Sequence, residues 1–179
     1  MAASDWLATG WKGLPTHRIL LDGDPGEPML AQTTLASDDI VVRLKPSGWQ
    51  PSQAGLFDEI LWSVLPSRKG IADHAPWPMT HVGRPALVTL TKMAPDGLRQ
   101  VLRIWPTDVL VQDDRGTVPL RLASITSDQL DALAFGFSQI EETALSNQQI
   151  AMAKAQLAAA LRRPSDGSTK ADAPLLIGH

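Results

Sequence analysis

The distribution of proline constrains this chain more than any other feature of its sequence. Twelve of the 14 prolines lie within residues 15–119, and residues 120–163 contain none. Proline interrupts helices and removes a hydrogen-bond donor from sheet ladders, so the first part predicts short elements and turns. The later part can hold a long helix. A chain of 179 residues with 44% hydrophobic side chains also has material for one ordinary core.

We therefore expect one globular domain over residues 11–163, with an N-terminal segment (1–10) and a flexible tail (164–179). Three runs have the pattern of strands: PALVTLTKM, LRQVLRIWP and TVPLRLASI. The turn signal Pro95-Asp96-Gly97 joins the first two, and a second turn at residues 113–116 precedes the third. This order predicts an antiparallel meander. Residues 130–141 fit either a further strand or a helix.

Helical spacing appears in three places. A first helix is predicted from an N-cap at Ser37 to Pro46, and a second over residues 54–65. Ser146 and Gln149 have the spacing of a capping box at the start of a long C-terminal helix. Residues 67–85 have no period and read as a surface loop. The expected fold class is α+β, a meander sheet packed on one side by a few amphipathic helices.

Composition excludes several classes of function. The chain has no cysteine, which excludes disulfides, thiolate metal sites and cysteine nucleophiles. A net charge of -3 without a basic stripe argues against nucleic acid as a partner. No apolar run is long enough to span a membrane, and the first residues do not have the pattern of a signal peptide. These observations predict a soluble chain, cytoplasmic by default, with peripheral membrane association left open.

The strand pattern also defines a candidate ligand site. Leu102 and Ile104 alternate with Arg103 and Trp105, so the apolar pair should face the helices and the other pair the opposite side. Arg121 is expected on that same side, and His81 and Arg84 on the neighbouring loop. Arginine forks beside an aromatic ring could bind an anion such as a carboxylate or phosphate. The alternative is a solvated face, with the loop merely tethered to it. Pro106 should end the strand in both cases.

These strands also carry a family resemblance. HVGRPALVTLTK, LRQVLRIWPTD and TVPLRLASIT, preceded by GWKGLPTHRILLDG, PMLAQTT and a helix ending in PSGW, resemble the LssY C-terminal domain family in the same order. The resemblance covers roughly residues 11–125, while Val82, Arg121 and Ala123 depart from the family pattern. It implies a soluble accessory domain acting with a bacterial membrane protein of the DedA-like or type 2 phosphatidic acid phosphatase-like kind. The family itself has no established activity.

Two functions follow as expectations. The first is a non-catalytic binding or accessory module, with Trp77 between two prolines as a partner contact unless it is buried as a lid. The second is a hydrolase of a phosphorylated lipid or small molecule, with His81 as acid or base. No nucleophile motif or catalytic residue stands out, and the histidines do not have metal-ligand spacing. We therefore expect neither a metal nor a cofactor. The oligomeric state stays open.

Overall fold

A computed structural model of the chain describes residues 13–52, 70–113, 116–132, 138–161 and 175–176. The strands in these residues are β1 (His17–Ile19), β2 (Pro25–Thr33), β3 (Gln50–Pro51), β4 (Thr80–His81), β5 (Arg84–Pro85), β6 (Val88–Met93), β7 (Arg99–Asp113), β8 (Gly116–Ala132), β9 (Ser138–Ala144) and β10 (Leu175–Leu176). The α-helices there are α1 (Ser37–Leu44) and α2 (Asn147–Leu161). This is the expected α+β class.

The predicted meander is confirmed. β6, β7, β8 and β9 are consecutive antiparallel neighbours. The turn between β6 and β7 is closed by the Ala94 amide, which donates to the Leu98 carbonyl at 2.8 Å, and Gly97 supplies the positive φ of 84°. β2 and β9 share the edge of β8 that lies opposite β7, β2 along residues 121–124 and β9 along residues 126–132. The main strand order is β1-β2-β8-β7-β6-β3. Of the two options for residues 130–141, the described residues form strand.

Both described helices begin close to the predicted residues. α1 starts one residue earlier than expected: Ala36 is the N-cap, and no side chain caps the helix, so the predicted cap at Ser37 is wrong. The predicted capping box is confirmed. The Ser146 hydroxyl accepts from the Gln149 amide at 3.3 Å, and the Ser146 amide donates to Gln149 Oε1 at 2.9 Å. This reciprocal pair satisfies two amides that the first turn of α2 leaves without helical partners.

The main core lies between the helices and one face of the sheet, which we call the helix face. Its fully buried sheet residues include Leu102 and Ile104 on β7, as the alternation within β7 predicts, and Ala123 on β8. Leu157 and Leu161 reach it from α2. The predicted helix over residues 54–65 lies outside the described residues. So does most of the predicted tail, although β10 within it pairs with β2.

The opposite face of the sheet, which we call the far face, is also buried. Arg99, Arg103 and Trp105 are each at most 2% exposed. Residues 70–86 cover this face with a short 3-10 turn, Ile71–Asp73, and the β4–β5 hairpin, so the prediction of a patternless surface loop is wrong in this part. The alternative of a solvated arginine face is wrong too. Both faces of the sheet are thus buried. Charged side chains on the far face must therefore be paired, because burying an unpaired charge is costly.

Candidate functional site

Among the described residues, three buried ion pairs lie on the far face, and we call them the ionic layer. Arg18 Nε meets Glu27 Oε2 at 2.6 Å, Arg99 Nη2 meets Asp128 Oδ2 at 2.7 Å, and Arg103 Nη2 meets Glu142 Oε2 at 3.0 Å. In each pair at least one side chain is almost completely buried. Burial raises the pKa of Glu142, while Arg103 acts in the opposite direction. These cations are thus neutralised by residues of the same chain and are not free for a ligand.

Trp105 plugs the centre of the far face and is not an exposed surface. It is 0% exposed and packs with Met29 and Leu122. Its Nε1 donates to Ser124 Oγ at 2.9 Å, and Ser124 Oγ donates to Glu27 Oε1 at 3.0 Å. The indole therefore joins the ionic layer through its one polar atom, as a buried tryptophan usually must. A ligand at the surface does not reach it.

A pocket of about 270 Å³ opens beside this plug, and we call it the hairpin pocket. Three short segments and one side chain line it: Leu14 and Pro15, then His81, Val82 and Arg84, then Pro106, Thr107, Asp108 and Val109, and finally Leu122. The His81 ring packs above the Trp105 ring, with 6.0 Å between the centroids and an angle of 56°. The buried plug thus supports one wall of the pocket.

A bulge in β7 builds another wall. Pro106 pairs with Arg121, and pairing resumes only at Leu110 with Pro119, so three residues of β7 face the single residue Leu120. The strand continues to Asp113, which makes the prediction that Pro106 ends it wrong. The Thr107 hydroxyl holds the bulge by donating to the Leu120 carbonyl at 2.8 Å and accepting from the Val109 amide at 3.1 Å. Such bulges re-aim side chains next to binding sites.

His81 lines the pocket and is 4% exposed, and its hydrogen bonding defines which ring nitrogen carries the proton. The amide of Ile19 donates to His81 Nδ1 at 3.1 Å, so a neutral ring carries its proton on Nε2. Burial lowers the pKa of His81, and the nearby positive charge of Arg18 lowers it further, against a smaller opposing effect of Glu27. The ring is therefore neutral at pH 7 and offers Nε2–H as a donor. No partner for Nε2 is found among the described residues.

Arg84 stands at the rim of the pocket. Its Nη1 lies 2.7 Å from Asp108 Oδ1, where the side chains are 48% and 84% exposed respectively. His81 and Arg84 are opposed positions of the β4–β5 hairpin, so their side chains project from the same side of it. Two donors of the predicted site are thus brought together. An exposed ion pair of this kind is weak, which leaves the guanidinium open to exchange of its anion.

The other predicted ligand residues lie elsewhere. Arg103 donates to Glu142, Thr126 and the Trp77 carbonyl within the far face. Arg121 projects to the helix side and donates to the Leu35 carbonyl at 2.8 Å, so the prediction that it shares a face with Arg103 is wrong. The reason is register: Trp105 pairs with Leu122, which places Leu122, not Arg121, on the far face.

Trp77 lies between the two predicted roles. Its side chain is half-buried, and its carbonyl is fixed by Arg103 Nη2 at 3.2 Å. The preceding Pro76 is buried. The loop is thus anchored as a cover over the far face, while part of the indole remains accessible to solvent.

The pocket supports binding chemistry better than catalysis. Its one hydroxyl, Thr107, is used in both directions by the bulge and has no base to activate it. His81 Nδ1 already accepts an amide, so the neutral ring has no free lone pair for a general base. Within the described residues there is no group of three or more His, Asp or Glu side chains that could hold a metal ion. Hydrogen bonding and apolar contact remain.

Several residues of the pocket have no signal in the sequence. Asp108 and Val109 reach it only because of the bulge, and Leu122 only because of the strand register. Val82 carries a signal that can be recognised afterwards. The pair Val82-Gly83 stands between short extended runs, where a hairpin turn with positive φ at both positions normally has Asn-Gly.

Comparison with protein-family models, with curated proteins and with solved structures gives no match. The resemblance to the LssY C-terminal domain family therefore depends on the quoted segments alone. Among the described residues, no helix is long and apolar enough to cross a membrane.

Proposed function

We propose that the chain is a non-catalytic binding module and that the hairpin pocket is its ligand site. The observation that carries this proposal is that His81 and Arg84 oppose each other on one side of a short hairpin and line a pocket whose other lining residues are mainly apolar. A few polar groups among mainly apolar lining residues are typical of a site that orients a small ligand. The ligand is expected to be anionic, because both groups donate hydrogen bonds and neither accepts one.

The resemblance to the LssY C-terminal domain family adds a cellular setting to this proposal. In that setting the module acts beside a bacterial membrane protein, with the half-buried Trp77 as its contact. A photo-crosslinking residue in place of Trp77 tests this contact in the source cells. The matched position is Lys45, which is exposed and distant in sequence from the pocket segments. Equal crosslinking from both positions would count against a specific contact.

The pocket itself is tested by amide NMR with a panel of small carboxylates, phosphates, amines and alcohols. We expect saturable shifts of the amides of Val82, Gly83, Thr107 and Val109, while amides of α2 stay in place. Hydrolysis of p-nitrophenyl phosphate and p-nitrophenyl acetate is followed in parallel. Turnover that disappears in His81→Asn would reject the non-catalytic assignment in favour of the hydrolase. A panel that leaves all the pocket amides unmoved would reject the pocket as a ligand site.

A further inference from the structure

The turn at the lip of the hairpin pocket is strained in an unusual way. Val82 has φ of 50°, in the left-handed region that β-branched residues avoid, and it is the one non-glycine residue with positive φ among those described. Gly83 follows with φ of 72°, which gives the two-residue turn its positive-φ pair. Asparagine fits the first position much better. Strained backbone of this kind concentrates at ligand sites.

Val82 also fails to gain from burial within its own chain. It is 60% exposed, yet it lines the pocket. An apolar side chain that is both strained and solvated would be stabilised if a ligand covered it. Val82 therefore marks the position of an apolar part of the ligand.

The lining of the pocket describes the rest of that ligand. Six of the ten lining residues are apolar: Leu14, Pro15, Val82, Pro106, Val109 and Leu122. A volume of about 270 Å³ lies just below the usual range of small-molecule pockets, which limits the ligand to a small organic molecule. The body of the ligand is thus small and mainly apolar.

The charges at the pocket limit the ligand to a single negative charge. Among the lining residues that the structure describes, Arg84 is the one cation, and the carboxylate of Asp108 already lies 2.7 Å from it. The next cation, Arg18, is held by Glu27 at 2.6 Å. A phosphate monoester carries close to two negative charges at neutral pH and would meet one guanidinium and a repelling carboxylate. A ligand carboxylate carries one negative charge and can replace the Asp108 carboxylate as the partner of Arg84.

We propose that the hairpin pocket binds a small monocarboxylate with an apolar body. Its carboxylate replaces that of Asp108 on Arg84 and accepts from His81 Nε2–H, while its body covers the exposed side chain of Val82. Asp108 then turns to solvent, where its side chain is already 84% exposed. This inference rests on the proposed binding function and names the ligand class of the same pocket.

Three probes of one shape separate the ligand classes: phenylacetate, phenyl phosphate and 2-phenylethanol. Each is titrated at pH 7 against the full chain, with dissociation constants taken from amide NMR shifts. We expect phenylacetate to bind most tightly of the three. Arg84→Gln should weaken it by about tenfold, because a charged fork is lost, and Asp108→Asn should tighten it several-fold, because a competing anion is lost. Lys45→Gln is the matched charge control and should leave it unchanged.

Val82→Asn tests the apolar contact. It should relieve the turn while weakening phenylacetate several-fold, and amides outside the pocket report that the fold is intact. Tighter binding of phenyl phosphate, with the same dependence on Arg84, would overturn the carboxylate class and leave the binding function standing. An unchanged affinity in Asp108→Asn would overturn the exchange of anions. If none of the probes moves the pocket amides, this inference fails, and the wider fragment panel then decides whether the binding function fails with it.

Discussion

Replacing Arg103 with methionine is the most informative test of the buried far face. The side chain of Arg103 is 1% exposed and donates to Thr126 Oγ1 at 2.9 Å, to the Trp77 carbonyl at 3.2 Å and to Glu142 Oε2 at 3.0 Å. Methionine fills most of the volume but donates nothing. It leaves two neutral acceptors and one carboxylate without their partner.

The magnitude follows from the carboxylate. Breaking a fully buried ion pair costs about 3 to 5 kcal/mol, chiefly because the remaining charge is stranded. The side chain of Glu142 is 17% exposed, so solvent relieves part of this penalty and the lower end of the range applies. We expect the free energy of unfolding to fall by about 3 kcal/mol. For a chain of this size the melting temperature should fall by roughly 6 to 12 °C.

Urea unfolding at pH 7, followed by circular dichroism, measures this free energy. Lys45→Ala removes an exposed cation and should change it by less than about 0.5 kcal/mol. Adding Glu142→Gln to Arg103→Met removes the stranded charge and should recover about 1 kcal/mol or more. An Arg103→Met protein as stable as Lys45→Ala would refute the buried pair and return Arg103 to the surface.

Three further changes have definite expected outcomes. The pKa of His81 is lowered from its ordinary 6.5, so its contribution to stability is complete above pH 6.5 and is lost as the pH falls through the folded pKa. The variant His81→Asn can still accept a hydrogen bond from the Ile19 amide but does not titrate. It should therefore show a smaller fall in the urea midpoint between pH 7.5 and pH 5. Trp105→Phe should cost about 1 to 3 kcal/mol in urea unfolding, since the indole donor to Ser124 is lost inside the core. Val82→Asn should raise the melting temperature by relieving about 1 kcal/mol of backbone strain, and an unchanged or lower value would contradict the strain.

The parts of the fold that the sequence predicts well are those with a local cause. The Pro95-Asp96-Gly97 turn determines how β6 meets β7 without reference to any distant residue. The start of α2 likewise follows from Ser146 and Gln149, three positions apart. The helix-face core follows from alternation within β7, because a strand's own pattern decides which of its residues share a face.

The errors come from relations between strands. Alternation in β8 shows which residues share a face with Arg121, but not which face of the sheet that is. The register against β7 places these residues on the helix face and not on the expected far face. The sequence also gives no indication that the far face is buried. The arginines of β7 find carboxylates 29 residues away at Asp128 and 39 residues away at Glu142, and only the folded sheet brings these partners together.

The candidate site divides in the same way. His81 and Arg84 are predicted together because they lie three positions apart in one loop, and the hairpin found there brings them to the same side. Asp108 reaches the pocket only through the β7 bulge, which the sequence does not predict. Both walls of the hairpin pocket are thus irregular backbone: a valine at φ of 50° on one side and three residues opposing one on the other. A regular hairpin with Asn-Gly and an unbroken β7 ladder would form the same sheet with less strain. The chain departs from this regular form at two places, and both lie at the hairpin pocket. We therefore look for its function at the pocket and not in the ionic layer, where each arginine is already paired with a carboxylate of the same chain.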